Sequence, residues 1–328
     1  MLAKNSNYNR NILLIIIGVA VVAFIFLPSI LSGYYVRIFT AIFMYATISQ
    51  GMNLMSGYMG YLPFGNAMFF GIGAYITAIL MGKGFPFIGA IPFAALTAVV
   101  VSIILGFPVL RLKGHYFAIA TIGMSGAILS VAQNATDITG GAMGTTLPII
   151  AKPPGIVYNY FYLAMLGLMV VTTLAIYFII RSRFGYAVRS IKANEEAANS
   201  MGINTTFYKI STWAISAFFT SLAGALYAYW MSFIAPDEVF NVMIAVHTIV
   251  IMLIGGAGTV LGPIIGAFII EFVSEVAWGG FMEYHLAALG IATIIIVFFV
   301  PQGVVGTLKD IVKGIKISLN KKAGVSND

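Results

Sequence analysis

Apolar runs of membrane-spanning length follow one another along this chain with short polar breaks between them: 11–31, 38–55, 62–82, 86–108, 115–134, 158–180, 209–233, 240–255, 259–279 and 284–301. A helix needs about 20 apolar residues to cross a bilayer, so ten such spans take up about 200 residues and leave only short loops. The pattern predicts an all-α polytopic membrane protein with about ten transmembrane helices in a single domain, 1–328. The first run follows Lys4 and Arg10 and is superficially similar to a signal peptide. It is longer than a signal core and lacks a small-x-small cleavage site, so it reads as a span. An eight-span alternative with two re-entrant or interfacial segments keeps the same parity, and the glycine-broken stretch 51–73 is where it would arise.

Composition supports lipid as the solvent. Hydrophobic residues make up 60% of the chain and charged residues 8%, against roughly a quarter charged in soluble proteins. This excludes a water-soluble enzyme, a nucleic-acid binder and a disordered chain. The net charge of +7 reads as topology. With the N-terminus in the cytoplasm, Lys4, Arg10, Arg111, Lys113, Arg181, Arg183, Arg189, Lys192, Lys209 and Lys309, Lys313, Lys316, Lys321 and Lys322 of the basic tail 302–328 fall inside, and Arg37, Lys83 and Lys152 outside. That is the bias of a multi-pass inner-membrane protein of bacteria or archaea with both termini cytoplasmic.

The chain carries no machinery for covalent chemistry. It has no cysteine, no phosphate-binding G-x-x-x-x-G-K-[ST] loop, and three scattered histidines at 115, 247 and 285. No catalytic, metal or cofactor site is expected. What remains is a pore or transporter body driven by an ion gradient or by partner subunits. Its spans are rich in small residues, as in GYMGYLPFG (57–65) and GGAGTVLGPIIGAF (255–268), which suits either close helix packing or unwound backbone lining a cavity. The two glycine-rich runs are faintly alike, as an internal duplication would make them.

The loop 181–208 is soluble in character. Asn194 can cap a short helix, Glu195 and Glu196 suit its first turn, and Gly202 is a natural stop. Its small Ala197–Ala198 face suits docking into a groove of another protein, the alternative being a merely solvated loop helix.

Glu195-Glu196-Ala197-Ala198 followed by Gly202 resembles the E-A-A-x-x-x-G coupling loop of ABC importer permeases. The stretches GMNLMSGYMGYLPFGNAMFFGIGAY (51–75), LRLKGHYFAIATIG (110–123), ITGGAMGT (138–145), SRFGYAVRSIKANEEAANSMGIN (182–204) and LIGGAGTVLGPIIGA (253–267) resemble LivM-type permeases of branched-chain amino acid importers, in order, from about 50 to 308. The resemblance implies the ABC importer permease fold, a second LivH-type permease, two cytoplasmic ATPases of LivG and LivF type that bind ATP and Mg, and an extracytoplasmic solute-binding protein. It implies that an ATPase grips Glu195, Glu196, Ala197, Ala198 and Gly202 in a docking segment 193–203, flanked by Arg183, Gly185 and Arg189. Tyr186-Ala187-Val188 and Lys192-Ala193-Asn194-Glu195 depart from the R-A-L-R-A-I-R-E-D-E that relatives more often carry there.

Polar groups within the spans are few, and each is costly in lipid unless it faces the bundle interior. Gln50, Asn53, Asn66, Thr121, Ser125, His247, Thr248 and Glu271 are therefore candidates for the translocation path or the interface between permeases. Glu271 lies mid-span with no Lys or Arg in a neighbouring span, and either bonds as a neutral carboxyl or takes part in transport. His247 reads first as a hydrogen-bonded interior histidine. An ammonium-carboxylate solute would be matched by carbonyls and helix N-termini at glycine breaks, which points to Gly57, Gly60, Gly255 and Gly256. The outer loops are mildly acidic, with Asp137, Asp237, Glu238, Glu275 and Glu283. Trp213, Trp230 and Trp278 read as interfacial anchors.

The expectation is half of an ATP-driven import path for branched-chain amino acids. The alternatives are the same machine carrying urea or short amides, and an ion-coupled secondary transporter using Glu271.

Overall fold

The computed structural model describes residues 22–150 and 153–280, residue 290 and residues 303–307. The expected helical spans 11–31 and 284–301, the basic tail, Lys152, Glu283, His285 and the Trp278 side chain lie wholly or largely outside the described residues. The other eight apolar runs each coincide with a helix. These are α1 (Gly33–Asn53), α2 (Ala67–Gly82), α3 (Phe87–Val109), α4 (Gly114–Asn134) and α5 (Pro154–Arg181). After the loop helices α6 (Arg183–Ala193) and α7 (Glu195–Ser200) come α8 (Thr205–Met231), α9 (Val242–Gly255) and α10 (Gly262–Gly280). At one end of the bundle, β1 (Thr145–Thr146) pairs antiparallel with β2 (Phe233–Ile234).

Among the described residues six helices are long and apolar enough to cross a membrane: Phe64–Gly82, Phe87–Val109, Gly114–Asn134, Pro154–Arg181, Thr205–Met231 and Pro236–Gly255. Helix α1 has the length but falls outside that set, carrying Tyr34, Tyr35 and Arg37 near its start and Thr47, Ser49, Gln50 and Asn53 in its second half. The described helices thus support a multi-span helical bundle, without fixing the expected count of ten. Helix α1 continues through a π-turn (Leu54–Tyr58) and a short break into α2.

Side-chain size sorts the helices. In α2, 78% of the span is buried within the chain, and in α8 61%, against 28% in α3 and 22% in α4. Lipid tails are as apolar as leucine, so burying large side chains gains little there and small residues take the centre. A Cβ on Gly73 would lie 2.0 Å from the Ser221 carbonyl oxygen, and one on Gly224 would lie 2.0 Å from that of Phe70. Helices α2 and α8 therefore touch backbone to backbone. The outer helix α3 presents Ile88, Phe93, Leu96, Ile103, Ile104 and Phe107 outward.

Trp213 corrects the sequence reading. It is fully buried against Phe69, Phe117 and the hydrogens of Gly106, so it is a packing element of the core and not an interfacial anchor.

Candidate functional site

The loop helices form as their caps dictate. Asn194 is extended and its Oδ1 accepts the Ala197 N–H at 3.0 Å, which starts α7. Gly202, at φ +85°, turns the chain out of it. Before α7, the Arg189 guanidinium caps the end of α5 at the Ile180 carbonyl. A Cβ on Gly185 would lie 2.4 Å from the Ile180 backbone, so the α5–α6 turn closes only on glycine. Arg183 and Arg189 remain exposed.

The two glutamates of α7 part company. Glu196 stays at the surface beside Lys113 at 3.3 Å, in a solvated pair worth little to stability. Glu195 turns inward, where its Oε1 lies 2.8 Å from Lys209 Nζ and its Oε2 accepts the Tyr61 hydroxyl at 2.5 Å. Lys209, on the first turns of α8, is almost fully buried and also donates to the Leu110 carbonyl at 2.7 Å. Burial alone would raise the Glu195 carboxyl, but the hydrogen bonds from Lys209 and Tyr61 and the nearby lysine charges hold it below its ordinary value. Ala198 is only 3% exposed, so the expected Ala197–Ala198 docking face does not exist. The outward face of α7 and its stop is Glu196, Ala197, Asn199, Met201 and Gly202.

Next to this, Lys192 at the end of α6 donates to the Gly57 carbonyl at 2.6 Å. Gly57 lies in the π-turn, and Gly60, at φ +87°, packs against the Lys192 stem. A π-turn leaves the local backbone ladder irregular, and such turns recur at functional positions in helices.

The last turn of α1, just before the π-turn, grips the other glycine-rich stretch. Asn53 Oδ1 accepts the Gly258 N–H at 2.8 Å and Asn53 Nδ2 donates to the Thr259 carbonyl at 2.8 Å. Gln50 Nε2 donates to the Val260 carbonyl at 2.5 Å. A Cβ on Gly57 would fall 2.0 Å from Asn53 Oδ1 and 2.4 Å from the Gly258 nitrogen. The α9–α10 turn is equally tight. A Cβ on Gly255 would lie 1.8 Å from the Gly262 carbonyl oxygen, Gly256 sits at φ +119°, and Gly303 packs on Gly256. The two glycine-rich runs are thus in contact.

Higher in the bundle His247 Nε2 lies 2.7 Å from Glu271 Oε1, with the Tyr45 ring 4.7 Å from the imidazole. Glu271 therefore has an ionisable partner, which the reading based on Lys and Arg alone overlooked. Asn66 donates to Ser216 and Thr220 on α8. Thr248 bonds the Ile244 and Ala245 carbonyls and its own carbonyl accepts from Ser49. On α4, Thr121 bonds the Ala118 carbonyl and Ser125 has no partner among the described residues. Gln50, Asn53, Asn66, Thr121, Ser125 and Thr248 are all buried inside the chain, so in this conformation none of them presents a surface to a second permease. The structure brings Gly57 and Gly60 together with Lys192, and Gln50 and Asn53 together with the glycine turn at 258–260. Thr121 on α4 packs on Gly65, where a Cβ would lie 2.1 Å from its carbonyl oxygen, while Ser125 bonds to none of the group among the described residues.

The acids at the far end of the bundle are also engaged within the chain: Asp237 with Gln133, Glu238 with Tyr227 and Glu275 with Tyr34. Lys192, Tyr61 and Lys209 were not among the expected site residues. The signal for Lys209 was a lysine opening the apolar run 209–233, and for Lys192 a cation two residues before the capping asparagine.

Residues 34–299 match the family described as branched-chain amino acid transport system, permease component. The chain belongs to this family. It is a transporter membrane subunit, not an enzyme. Branched-chain permeases similar to it include LivM of Salmonella typhimurium, a high-affinity system permease 30% identical over 84% of this chain and 71% of its own length. LivM of Methanocaldococcus jannaschii is 22% identical over 80% of this chain and 90% of its own. LivH of Escherichia coli is 26% identical over 80% and 91%. That both LivM and LivH proteins align along most of this branched-chain permease agrees with a pair of related permease subunits. No solved structure matches the chain.

Proposed function

We propose that the chain is one of two permease subunits of an ATP-driven importer that carries branched-chain amino acids inward, with about ten spans and both termini in the cytoplasm. Family membership along residues 34–299 carries this reading. Partner ATPases would bind ATP and Mg and dock on the outward face of α7, at Glu196, Ala197, Asn199, Met201 and Gly202, with Arg183 and Arg189 beside it. That face is exposed and set on a capped helix, so docking there orders little backbone. A LivH-type permease and an extracytoplasmic binding protein would complete the machine. The bundle would open where its backbone is irregular, at Gly57 and at Gly255–Gly256, whose carbonyls and amides can meet a zwitterion. His247 and Glu271, both partly exposed within a span, are the polar groups nearest in character to a path lining.

The test is co-expression with the neighbouring permease, ATPases and binding protein, followed by ATP hydrolysis in lipid with leucine, isoleucine, valine or urea. Stimulation by the branched-chain amino acids supports the reading, and stimulation by urea alone would move the cargo to short amides.

A further inference from the structure

We propose that Lys192 and Glu195 are positioning residues that form a two-point clamp, through which movement of α6 and α7 reaches the π-turn at Leu54–Tyr58 and, through Asn53, the α9–α10 glycine turn. This rests on the docking reading above, and it reassigns Glu195 from a surface group held by an ATPase to an internal one.

Three linked contacts carry the inference. At the first point, Lys192 Nζ reaches the Gly57 carbonyl at 2.6 Å, and a Cβ on Gly60 would lie 3.3 Å from the Lys192 stem. At the second, Glu195 is tied to Lys209 at 2.8 Å and to Tyr61, and Lys209 is tied to the end of α3 through Leu110. Tyr61 and Gly57 flank the same break, so both points pull on one short backbone segment. From there Asn53 passes to Gly258 and Thr259 with both ends of its amide. The chain of bonds runs from a docking helix to the close backbone approach of Gly255 and Gly262. A lysine bonded to a carbonyl of the π-turn that follows α1 is a mechanical link, because that carbonyl is held by the loop.

The chain has no cysteine, so a disulfide can replace the first link without competition within the chain. A Cβ on Gly60 would lie 4.0 Å from that of Lys192, inside the usual disulfide range of about 3.5 to 4.5 Å. The double variant Gly60→Cys, Lys192→Cys is reconstituted as the full complex, and leucine carried per ATP hydrolysed is read before and after reduction. The strain of a side chain at the Gly60 φ is the same in both forms. The clamp predicts that the reduced form keeps its ATPases and hydrolyses ATP but carries less leucine per ATP, by about two- to thirty-fold, the span of coupling energies in such networks. Reoxidation restores the ratio. Lys192→Met should behave as the reduced form and Lys192→Arg as wild type. Wild-type coupling in the reduced form or in Lys192→Met, or no recovery on oxidation, overturns the clamp. Loss of the ATPases from the wild-type complex would instead overturn the docking reading, and loss only from the Lys192 variants would make Lys192 a docking residue and sink the proposal.

Discussion

His247 Nε2 and Glu271 Oε1 lie 2.7 Å apart on the adjacent helices α9 and α10, so the mid-span carboxyl is partnered within its own chain. The pair separates structural from proton-carrying roles. Glu271→Gln keeps a hydrogen-bonding group of the same shape and should leave ATP-dependent transport within a few-fold of wild type, with uptake indifferent to the proton gradient. Uptake in vesicles that collapses with an uncoupler while ATP is held constant would contradict this.

Ala198 and Ala197 are neighbours with opposite fates, buried and exposed. Ala198→Arg must place a charge in packed interior and should lower the yield of folded protein. Ala197→Arg should leave the permease folded and strip the ATPases from it. The two effects are distinguished by size-exclusion of the purified permease and by ATPase co-purification. Equal ATPase content in Ala197→Arg and wild type would remove α7 as the docking face.

Lys209 and Glu195 form a pair with side chains 5% and 19% exposed. Removing one member of a buried pair strands the other, at a cost of about 3 to 5 kcal/mol. Lys209→Met should therefore destabilise more than Lys209→Met combined with Glu195→Gln, in thermal unfolding of the detergent-purified protein. A double variant less stable than the single would refute the pairing.

The same pair sets an acid limit. Glu195 titrates in the folded chain below its ordinary value of 4.5. Its contribution is then complete above that value and fades as pH falls through the lowered one, because the unfolded chain takes up the proton first. The difference in unfolding temperature between wild type and Glu195→Gln should be constant from neutral pH to about 5 and shrink in stronger acid. A difference that grows on acidification would have the wrong sign.

Gly255 faces the Gly262 carbonyl so closely that any Cβ collides with backbone, which cannot rotate away as a side chain can. Gly255→Ala should cost about 3 kcal/mol or more, at the upper end of overpacking changes. Gly202→Ala meets no neighbour and should cost only its backbone strain, about 1 to 2 kcal/mol. Similar unfolding temperatures for the two variants would contradict the tight-turn account.

The span pattern was legible because period and length of apolar runs do not depend on partners, and the eight runs that can be compared fall on helices. The α7 cap was legible because an asparagine cap is a local bond, closed within three residues. What the sequence withheld was long-range. Glu195 and Glu196 are adjacent and chemically alike, and only the approach of Lys209 and Tyr61 decides which turns inward. His247 and Glu271 are 24 residues apart on helices joined by a turn, and counting only Lys and Arg as cations hid the histidine. Gln50 and Asn53 read as path-lining groups because amides in lipid are costly, yet the glycine turn, whose backbone groups lack helical partners, takes up their bonds. Trp213 was misplaced for a related reason: its nearness to a span end in sequence says nothing of which helices cover it.

The most direct measurement is ATP hydrolysis by the full complex in lipid, titrated with leucine, isoleucine, valine and urea in the presence of its binding protein. The account predicts that the ATPases co-purify with this permease and that the three branched-chain amino acids raise hydrolysis while urea does not. A permease that purifies without any ATPase, or hydrolysis raised by urea alone, would contradict it.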